Sequence, residues 1–194
     1  MVRLITLLAL ALLASAVQAR QPIFFSLYGG GADFNADFDF VQPLQLDLEE
    51  DGDTIGLGVG YEVYGNWVVQ LDYTYTDADD VTVDEVVLSL NYHVPFLIEN
   101  MSATFGVVAG LGSLEWDDEP DIAEPVNSDT DADQSLFGVK LGLTYDISER
   151  WSTSLSYQYY DQEFDTHVTA EDLGRANFTH DEFQFILFGL HYHL

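Results

Sequence analysis

Large apolar side chains alternate with small or polar ones along most of the chain. In the stretch 67–75, WVVQLDYTY, every odd position is large and apolar, whereas the even positions include Gln70, Asp72 and Thr74. Successive side chains of a β-strand point to opposite faces of a sheet, so a period of two predicts a strand with one apolar face. The alternation recurs and predicts an all-β protein with eight strands, at 23–33, 54–63, 67–75, 82–93, 102–113, 135–145, 151–161 and 183–194.

The connectors between the predicted strands divide the molecule into two ends. Short connectors such as YGN (64–66) and DISER (146–150) meet at one end, and long ones such as 34–53 and 114–134 meet at the other. Of the 34 Asp and Glu residues, all but five fall at the end with the long connectors. The sequence therefore predicts one compact end and one acidic, loop-rich end.

The composition of the polar face decides which face points inward. Gly56, Gly58, Gly60 and Gly142 all share the parity of the polar positions. The interior of an eight-stranded barrel is narrow, so it fits glycine and serine better than a full set of leucines and tyrosines. Strands of about ten residues also match a tilted crossing of a bilayer. We therefore expect a transmembrane barrel whose apolar face contacts lipid. A soluble lipocalin-like binder, with the two faces reversed, is the alternative.

Tyrosine and tryptophan on the apolar face flank the short turns. Such amphipathic rings gather at the two levels where a membrane meets water. The predicted belt at the compact end consists of Tyr61, Trp67, Tyr92, Tyr145, Trp151 and Tyr192, and Tyr75 and Tyr159 are candidates for a second ring.

The first 19 residues have the layout of a secretory signal peptide. Arg3 precedes an apolar run that is too short to span a bilayer, and small residues follow up to Ala19. We expect cleavage after Ala19, with Ala16 as the second candidate, which gives a signal peptide over 1–19 and one domain over 20–194. The chain has no cysteine, so it has no disulfide. Its net charge of −29 excludes a nucleic-acid binder that works by neutralising phosphates.

Three segments carry a resemblance to a known family. GVGYEVYGNWVVQLDYTY (58–75), FGVKLGLTYDISERWSTSLSYQYY (137–160) and FQFILFGLHYHL (183–194) resemble the eight-stranded outer-membrane barrels of the OmpA and OmpX kind from Gram-negative bacteria. The resemblance implies an antiparallel up-and-down transmembrane β-barrel in the cell outer membrane, related to the porin family. Both termini would then lie at the periplasmic side and the long loops outside the cell. It also implies a monomer in contact with outer-membrane lipid and lipopolysaccharide. The chain departs from the family at Leu194, where such barrels usually end in an aromatic residue.

One basic side chain, Lys140, lies within the predicted strands. It occupies a polar position of the alternating pattern and therefore points into the barrel. Counted from the aromatic belt, Lys140 and Asp72 lie at similar heights, on strands that are nearly opposite each other. A single buried charge is costly unless it is paired. We predict an ion pair between Lys140 and Asp72 across the lumen, with Glu85 or Glu62 as the alternative partner.

The acidic end contains one candidate cation-binding loop. The run DTDADQ (129–134) opens like a calcium loop, but Gln134 and Lys140 stand where that loop needs Gly and Glu. A solvated loop is therefore the alternative to weak divalent-cation binding. The candidate ligands are Asp117, Asp118, Glu119, Asp129, Asp131 and Asp133.

Three histidines, His93, His191 and His193, share the inward parity near the compact end, with Glu62 at a similar height. These side chains could hold a metal, or they could form a hydrogen-bonded plug. We favour the plug, and we predict neither a resident metal nor a cofactor.

The sequence contains no recognisable catalytic motif. Modification of lipid A at the outer leaflet would need a nucleophile beside a base, but no serine lies near His167 or His180 in the sequence. We therefore predict a non-enzymatic barrel that presents acidic extracellular loops and serves envelope integrity or surface interaction. The alternative is a narrow porin-like channel or a carrier of small apolar molecules, and a lipid A-modifying enzyme ranks third.

Overall fold

The structure, a computed structural model, describes residues 23–40, 45–78, 81–95, 98–116, 125–129, 131–170 and 174–194. At 36–40, 45–50, 125–129, 131, 167–170 and 174–178 it describes the backbone alone. The signal peptide predicted at 1–19 lies outside these residues. The strands are β1 Ile23–Phe40, β2 Gln45–Tyr64, β3 Trp67–Ala78, β4 Val81–Pro95, β5 Met101–Trp116, β6 Pro125–Asp129, β7 Asp131–Asp146, β8 Trp151–Asp161, β9 Phe164–Ala170 and β10 Gly174–His193. In this part of the chain, no helix is long and apolar enough to cross a membrane.

Eight of the strands close into an antiparallel barrel. They pair in the order β1-β2-β3-β4-β5-β7-β8-β10, and β10 pairs back onto β1. Following register partners once around the barrel from Ile23 leads to Asp33, ten residues further along β1. This stagger tilts the strands against the barrel axis and fixes the width of the interior. The prediction of an all-β, eight-stranded antiparallel barrel is confirmed.

At the acidic end the strands run further than the sequence predicted. β1 extends to Phe40 and β2 begins at Gln45, so most of the predicted connector 34–53 is a β-hairpin. β6 and β9, which fall in two other predicted connectors, continue the sheet beyond β10 through the pairs β10–β9 and β9–β6. The sequence prediction was wrong here because strand pairing satisfies backbone groups whatever the side chains are. An acidic segment without a clean apolar face can therefore still form a strand.

The large apolar side chains at alternate strand positions face outward, as predicted. Among the most exposed large side chains are Leu27, Ile55, Leu57 and Phe137, each more than 60% exposed. At the compact end the aromatic belt is built from cross-strand neighbours. The ring centroids of Trp67 and Tyr92 are 4.8 Å apart, and those of Trp151 and Tyr192 are 5.0 Å apart.

The interior is divided into two halves along the barrel axis. The half toward the compact end is filled by serine, threonine, asparagine, glutamine and histidine side chains. The half toward the acidic end is mainly apolar, which the sequence analysis did not predict. We call this cluster the upper core; it consists of Ala32, Phe34, Ala78, Val81, Val83, Val87, Val108, Leu114, Leu136, Tyr160, Phe164, Phe183, Phe185 and Leu187.

Inward-facing glycines make room for the larger interior side chains. A Cβ atom on Gly58 would collide with the Asp72 carboxylate, and one on Gly60 would collide with the Phe24 ring. Both positions thus agree with the expectation that glycine fits the crowded lumen better than larger residues.

Arginine on the lipid-facing surface should destabilise the barrel. We expect Val69→Arg, Leu71→Arg, Leu141→Arg or Leu143→Arg to cost about 2–4 kcal/mol near the midplane, because a guanidinium is poorly solvated by hydrocarbon. Reversible unfolding in liposomes measures this cost. Asp133→Arg, at an exposed position near the acidic end, is the matched control and should cost about 1 kcal/mol or less. A mature protein that stays soluble and monomeric without detergent would contradict the assigned facing.

Candidate functional site

The polar half of the interior contains a cavity of about 270 Å³ at the compact end of the barrel. Inward positions of β2, β3, β4, β5, β7, β8 and β10 line it, so it lies within the lumen. Its polar lining includes Gln70, Asn91, His93, Thr104, Lys140, Ser152, Ser154, Ser156, His191 and His193, with Glu62 and Asp146 also on its wall. A concave site with convergent polar groups is the usual form of a binding site.

Hydroxyl groups hold the three histidines of this cavity. The His191 ring is held on both sides, with Nδ1 2.7 Å from Ser26 Oγ and Nε2 2.8 Å from Ser154 Oγ. His193 Nε2 lies 2.9 Å from Ser152 Oγ. His93 Nδ1 makes longer contacts with two hydroxyls on β5. These contacts hold the rings at the cavity wall, and the hydrogen-bonded plug stays a prediction. Among the described residues, no group of three or more His, Cys, Asp or Glu side chains is placed to hold a metal ion.

A layer containing both predicted lumen charges lies above the cavity. Lys140 and Asp72 are each more than 90% buried, and their charges lie near enough to interact. Each step from one strand to the next accounts for an equal share of the ten-residue stagger. On this count, Lys140 and Asp72 lie at the same height along the barrel axis. Lys140 Nζ lies 5.6 Å from the centre of the Tyr28 ring. Gln70 Nε2 donates to the Tyr28 hydroxyl and, at 2.8 Å, to Asp72 Oδ1. Tyr28 and Gln70 thus connect the two charges, and the direct ion pair remains a prediction.

The two alternative partners lie at other heights. Glu85 is 1% exposed and accepts a hydrogen bond of 3.0 Å from Thr74 Oγ1, while its Oε1 atom has no partner in the described part of the chain. Counted by register, it lies about one layer above Lys140, at the base of the upper core. Glu62 is half-buried at the mouth of the cavity. The structure therefore brings Lys140 and Asp72 together in one layer and leaves Glu85 and Glu62 outside it.

The upper core closes the interior toward the acidic end. Phe34 stacks on Phe183 with ring centroids 4.7 Å apart, and Phe164 meets Phe183 edge-on at 5.6 Å. The polar parity of β10 carries Phe183, Phe185 and Leu187, so this segment is apolar on both faces. A segment that is apolar on both faces is a sequence signal of the upper core.

His180 lies inside the upper core. It is completely buried, and both ring nitrogens lack a hydrogen-bond partner among the described residues. Its position on β10 is beyond the lipid-facing segment, and burial alone lowers the pKa of His180 to about 4. The ring is therefore neutral at pH 7.

Acidic side chains surround the outside of the barrel just above the apolar band. We call this set the acidic collar; its exposed members are Asp33, Asp51, Asp53, Asp77, Asp84, Asp133, Asp161 and Glu163. Asp33 is the register partner of Asp51, and Asp53 is the register partner of Asp77. These four carboxylates also line one open groove. Like charges directly opposite each other destabilise a sheet, so the collar favours counter-ions.

The predicted cation-binding loop is only partly described. Asp117, Asp118 and Glu119 lie outside the described residues, as do the side chains of Asp129 and Asp131. Asp133 is exposed and belongs to the acidic collar. Cation binding by this loop therefore stays a prediction.

Comparison with known proteins gives one family and several similar structures. The family model described as outer membrane protein beta-barrel domain matches residues 5–193. No curated protein matches the chain. OprG from Pseudomonas aeruginosa is 13% identical with a TM-score of 0.64, over 91% of this chain and 98% of that one. Neisserial surface protein A is 14% identical with a TM-score of 0.54, over 87% and 96%. The protease OmpT from Escherichia coli is 9% identical with a TM-score of 0.50, over 91% and 98%. At these identities the likeness extends to the fold alone.

Removing one of the two lumen charges should destabilise the barrel more than removing both. We expect Lys140→Met to cost about 3–5 kcal/mol, because it leaves the Asp72 carboxylate buried without a cation. Adding Asp72→Leu should recover part of the loss, and denaturant unfolding of both single variants and the double variant measures the coupling.

The pair Lys140→Met and Glu85→Gln is the matched control, since Glu85 lies in another layer and should couple more weakly. If the effects of Lys140→Met and Asp72→Leu simply add, the two charges are independent and the predicted pair is wrong.

Proposed function

The chain belongs to the outer membrane protein β-barrel domain family and lies in the outer membrane, and from this premise we propose that it is a non-enzymatic barrel that acts through its acidic extracellular surface. The observation that carries the proposal is the acidic collar directly above the apolar band. In an outer membrane, this height is the level of the lipopolysaccharide headgroups. The collar would contribute to envelope integrity or surface interaction by engaging them.

The collar and the headgroup phosphates are both anionic, so a cation has to lie between them. The cross-strand pairs Asp33–Asp51 and Asp53–Asp77 place like charges side by side, and hard divalent cations prefer carboxylate and phosphate oxygens. Calcium or magnesium would therefore link the barrel to lipopolysaccharide. Tyr73 donates a hydrogen bond to Asp84 and so anchors one collar residue to the side chains of the apolar band.

The interior supports a closed barrel in preference to an open pore. The upper core fills the lumen above the Lys140 layer with aliphatic and aromatic side chains. The cavity below it is lined by polar groups and ends at that layer. A narrow channel remains the second candidate, because this cavity already provides a hydrophilic path through part of the membrane. It would require the upper core to open.

Enzymatic activity has little support in the geometry of the described residues. The shortest serine–histidine contacts, Ser152 with His193 and Ser26 and Ser154 with His191, lie inside the barrel at the periplasmic end, as does the longer contact of His93 with Ser102. Chemistry on lipid A needs its nucleophile at the outer leaflet. His180 lies toward that end, but in the described part of the chain no hydroxyl lies within hydrogen-bond distance of its ring. The side chain of His167 lies outside the described residues.

Divalent cations should stabilise the barrel only when lipopolysaccharide is present. In liposomes that contain lipopolysaccharide, we expect millimolar calcium or magnesium to raise Tm by several degrees more than sodium at equal ionic strength, because bound ligand stabilises the folded state. The double variant Asp33→Asn/Asp53→Asn should lose part of this rise, since it removes one carboxylate from each cross-strand pair.

Glu99→Gln/Glu149→Gln, which neutralises two exposed acids at the periplasmic end, is the control and should behave like the native chain. If calcium and sodium raise Tm equally, the collar carboxylates are solvated and do not bind divalent cations specifically. Large, steady conductance of the native protein in planar bilayers would favour the channel.

A further inference from the structure

His180 is surrounded by aromatic rings at the extracellular end of the lumen. Its ring centroid lies 5.9 Å from that of Phe34 on β1 and 5.6 Å from that of Trp116 on β5. Its register partner across the sheet is Phe164 of β9. The imidazole has no exposed surface, and neither ring nitrogen has a hydrogen-bond partner among the described side chains, so this position tolerates only the neutral form.

Among the side chains that the structure describes, no charged group lies against His180 to offset this burial. The rings that contact His180 from β1 and β5 are those of Phe34 and Trp116, and its register partner on β9 is Phe164, all three uncharged. The titratable side chains nearest along these strands and its own are Asp33, Glu115, Asp165, Asp181 and Glu182, of which Asp181 is half-buried and the others are exposed. Of Asp37 and His167 the backbone alone is described. Glu85, deeper in the interior on β4, is engaged by Thr74.

The wall beside His180 is irregular. Glu182 has a φ of 53°, in the left-handed region, and the β1–β10 register shifts between Asp33 and Asn35. Gln162, 2% exposed, is a second interior side chain whose amide nitrogen and oxygen both lack partners in the described residues. Unpaired buried polar atoms and an interrupted ladder lower the cost of local opening.

We propose that His180 makes the upper core an acid-sensitive plug, which stays closed while the imidazole is neutral and opens to water on the extracellular side when the imidazole is protonated. In the described part of the closed core an imidazolium would have no anionic or hydrogen-bonding partner, so opening allows it to hydrate. Once the upper core is open, the layer around Lys140 is the remaining barrier between the periplasmic cavity and the outside.

The direction and size of the effect follow from proton linkage. Burial lowers the pKa of His180 to about 4 in the closed state, whereas an open, hydrated ring has the ordinary value of about 6.5. The closed state is therefore fully favoured above pH 6.5 and loses that advantage as pH falls from 6.5 toward 4. The ratio of open to closed molecules rises about 30-fold between pH 7.5 and pH 5, and on the order of 100-fold by pH 4.

Amide hydrogen exchange of the native barrel in nanodiscs measures this opening. After correction for the pH dependence of chemical exchange, protection of residues 180–186 of β10 and 112–116 of β5 should fall about 30-fold from pH 7.5 to pH 5. His180→Phe should abolish most of the fall, because phenylalanine keeps the packing and cannot be protonated. His193→Gln, at the opposite mouth of the barrel, is the matched control and should retain the native response.

An equal loss of protection in the native chain and in His180→Phe would assign the acid response to the collar carboxylates and overturn the proposal. Constant protection of the native chain from pH 7.5 to pH 4 would overturn it as well. If His180→Phe does not insert, His180→Gln serves the same comparison, since its side chain does not titrate. Independently of any variant, an NMR titration of the His180 ring with a midpoint near 6.5 would contradict its burial and the plug.

Discussion

Lipid offers no hydrogen bonds to a backbone, and the rest of this structure depends on that constraint. A strand crossing the bilayer must find partners on both sides, so the sheet has to close, as it does through the pairing of β1 with β10. Closure with a stagger of ten residues fixes the tilt of the strands and the width of the lumen. It also fixes which residues on different strands share a height. The outward apolar face and the inward glycines both follow from this geometry.

A lumen of this width can be filled in more than one way, and the two halves of this barrel are filled differently. Near the periplasm, hydroxyl groups hold His191 and His193 and leave a cavity open to water. Toward the outside, phenylalanine and aliphatic side chains exclude water. The charges of Lys140 and Asp72 lie between the halves, where Tyr28 and Gln70 provide polar contacts. The interior thus consists of a cavity that the upper core closes toward the acidic end. A closed interior agrees with the proposed function at the outer surface.

The distribution of charge follows from the cost of desolvation. Acidic side chains are abundant where water reaches them, on the collar and at the acidic end, and the described part of the lumen contains few of them. Those that are buried are placed beside polar groups, as Asp72 is beside Gln70 and Glu85 is beside Thr74. His180 is a different case. Its ring is polar, but neither ring nitrogen has a hydrogen-bond partner among the described residues. A buried group that lacks partners in this way is where a change of protonation can have structural consequences.

Local pattern was enough to determine the strands, their facing and the aromatic belt, because the period of two acts within each strand, as in Trp67–Tyr75. Counting along strands from the belt also placed Lys140 and Asp72 at one height. The tertiary structure alone decided that Tyr28 and Gln70 lie between them, that the acidic segment 45–53 is a strand, and that Phe34 and Trp116 pack against His180. These contacts join strands distant in sequence, and the stagger at barrel closure determines which side chains meet. No local pattern of hydrophobicity encodes that stagger, since it is a property of all eight strands together.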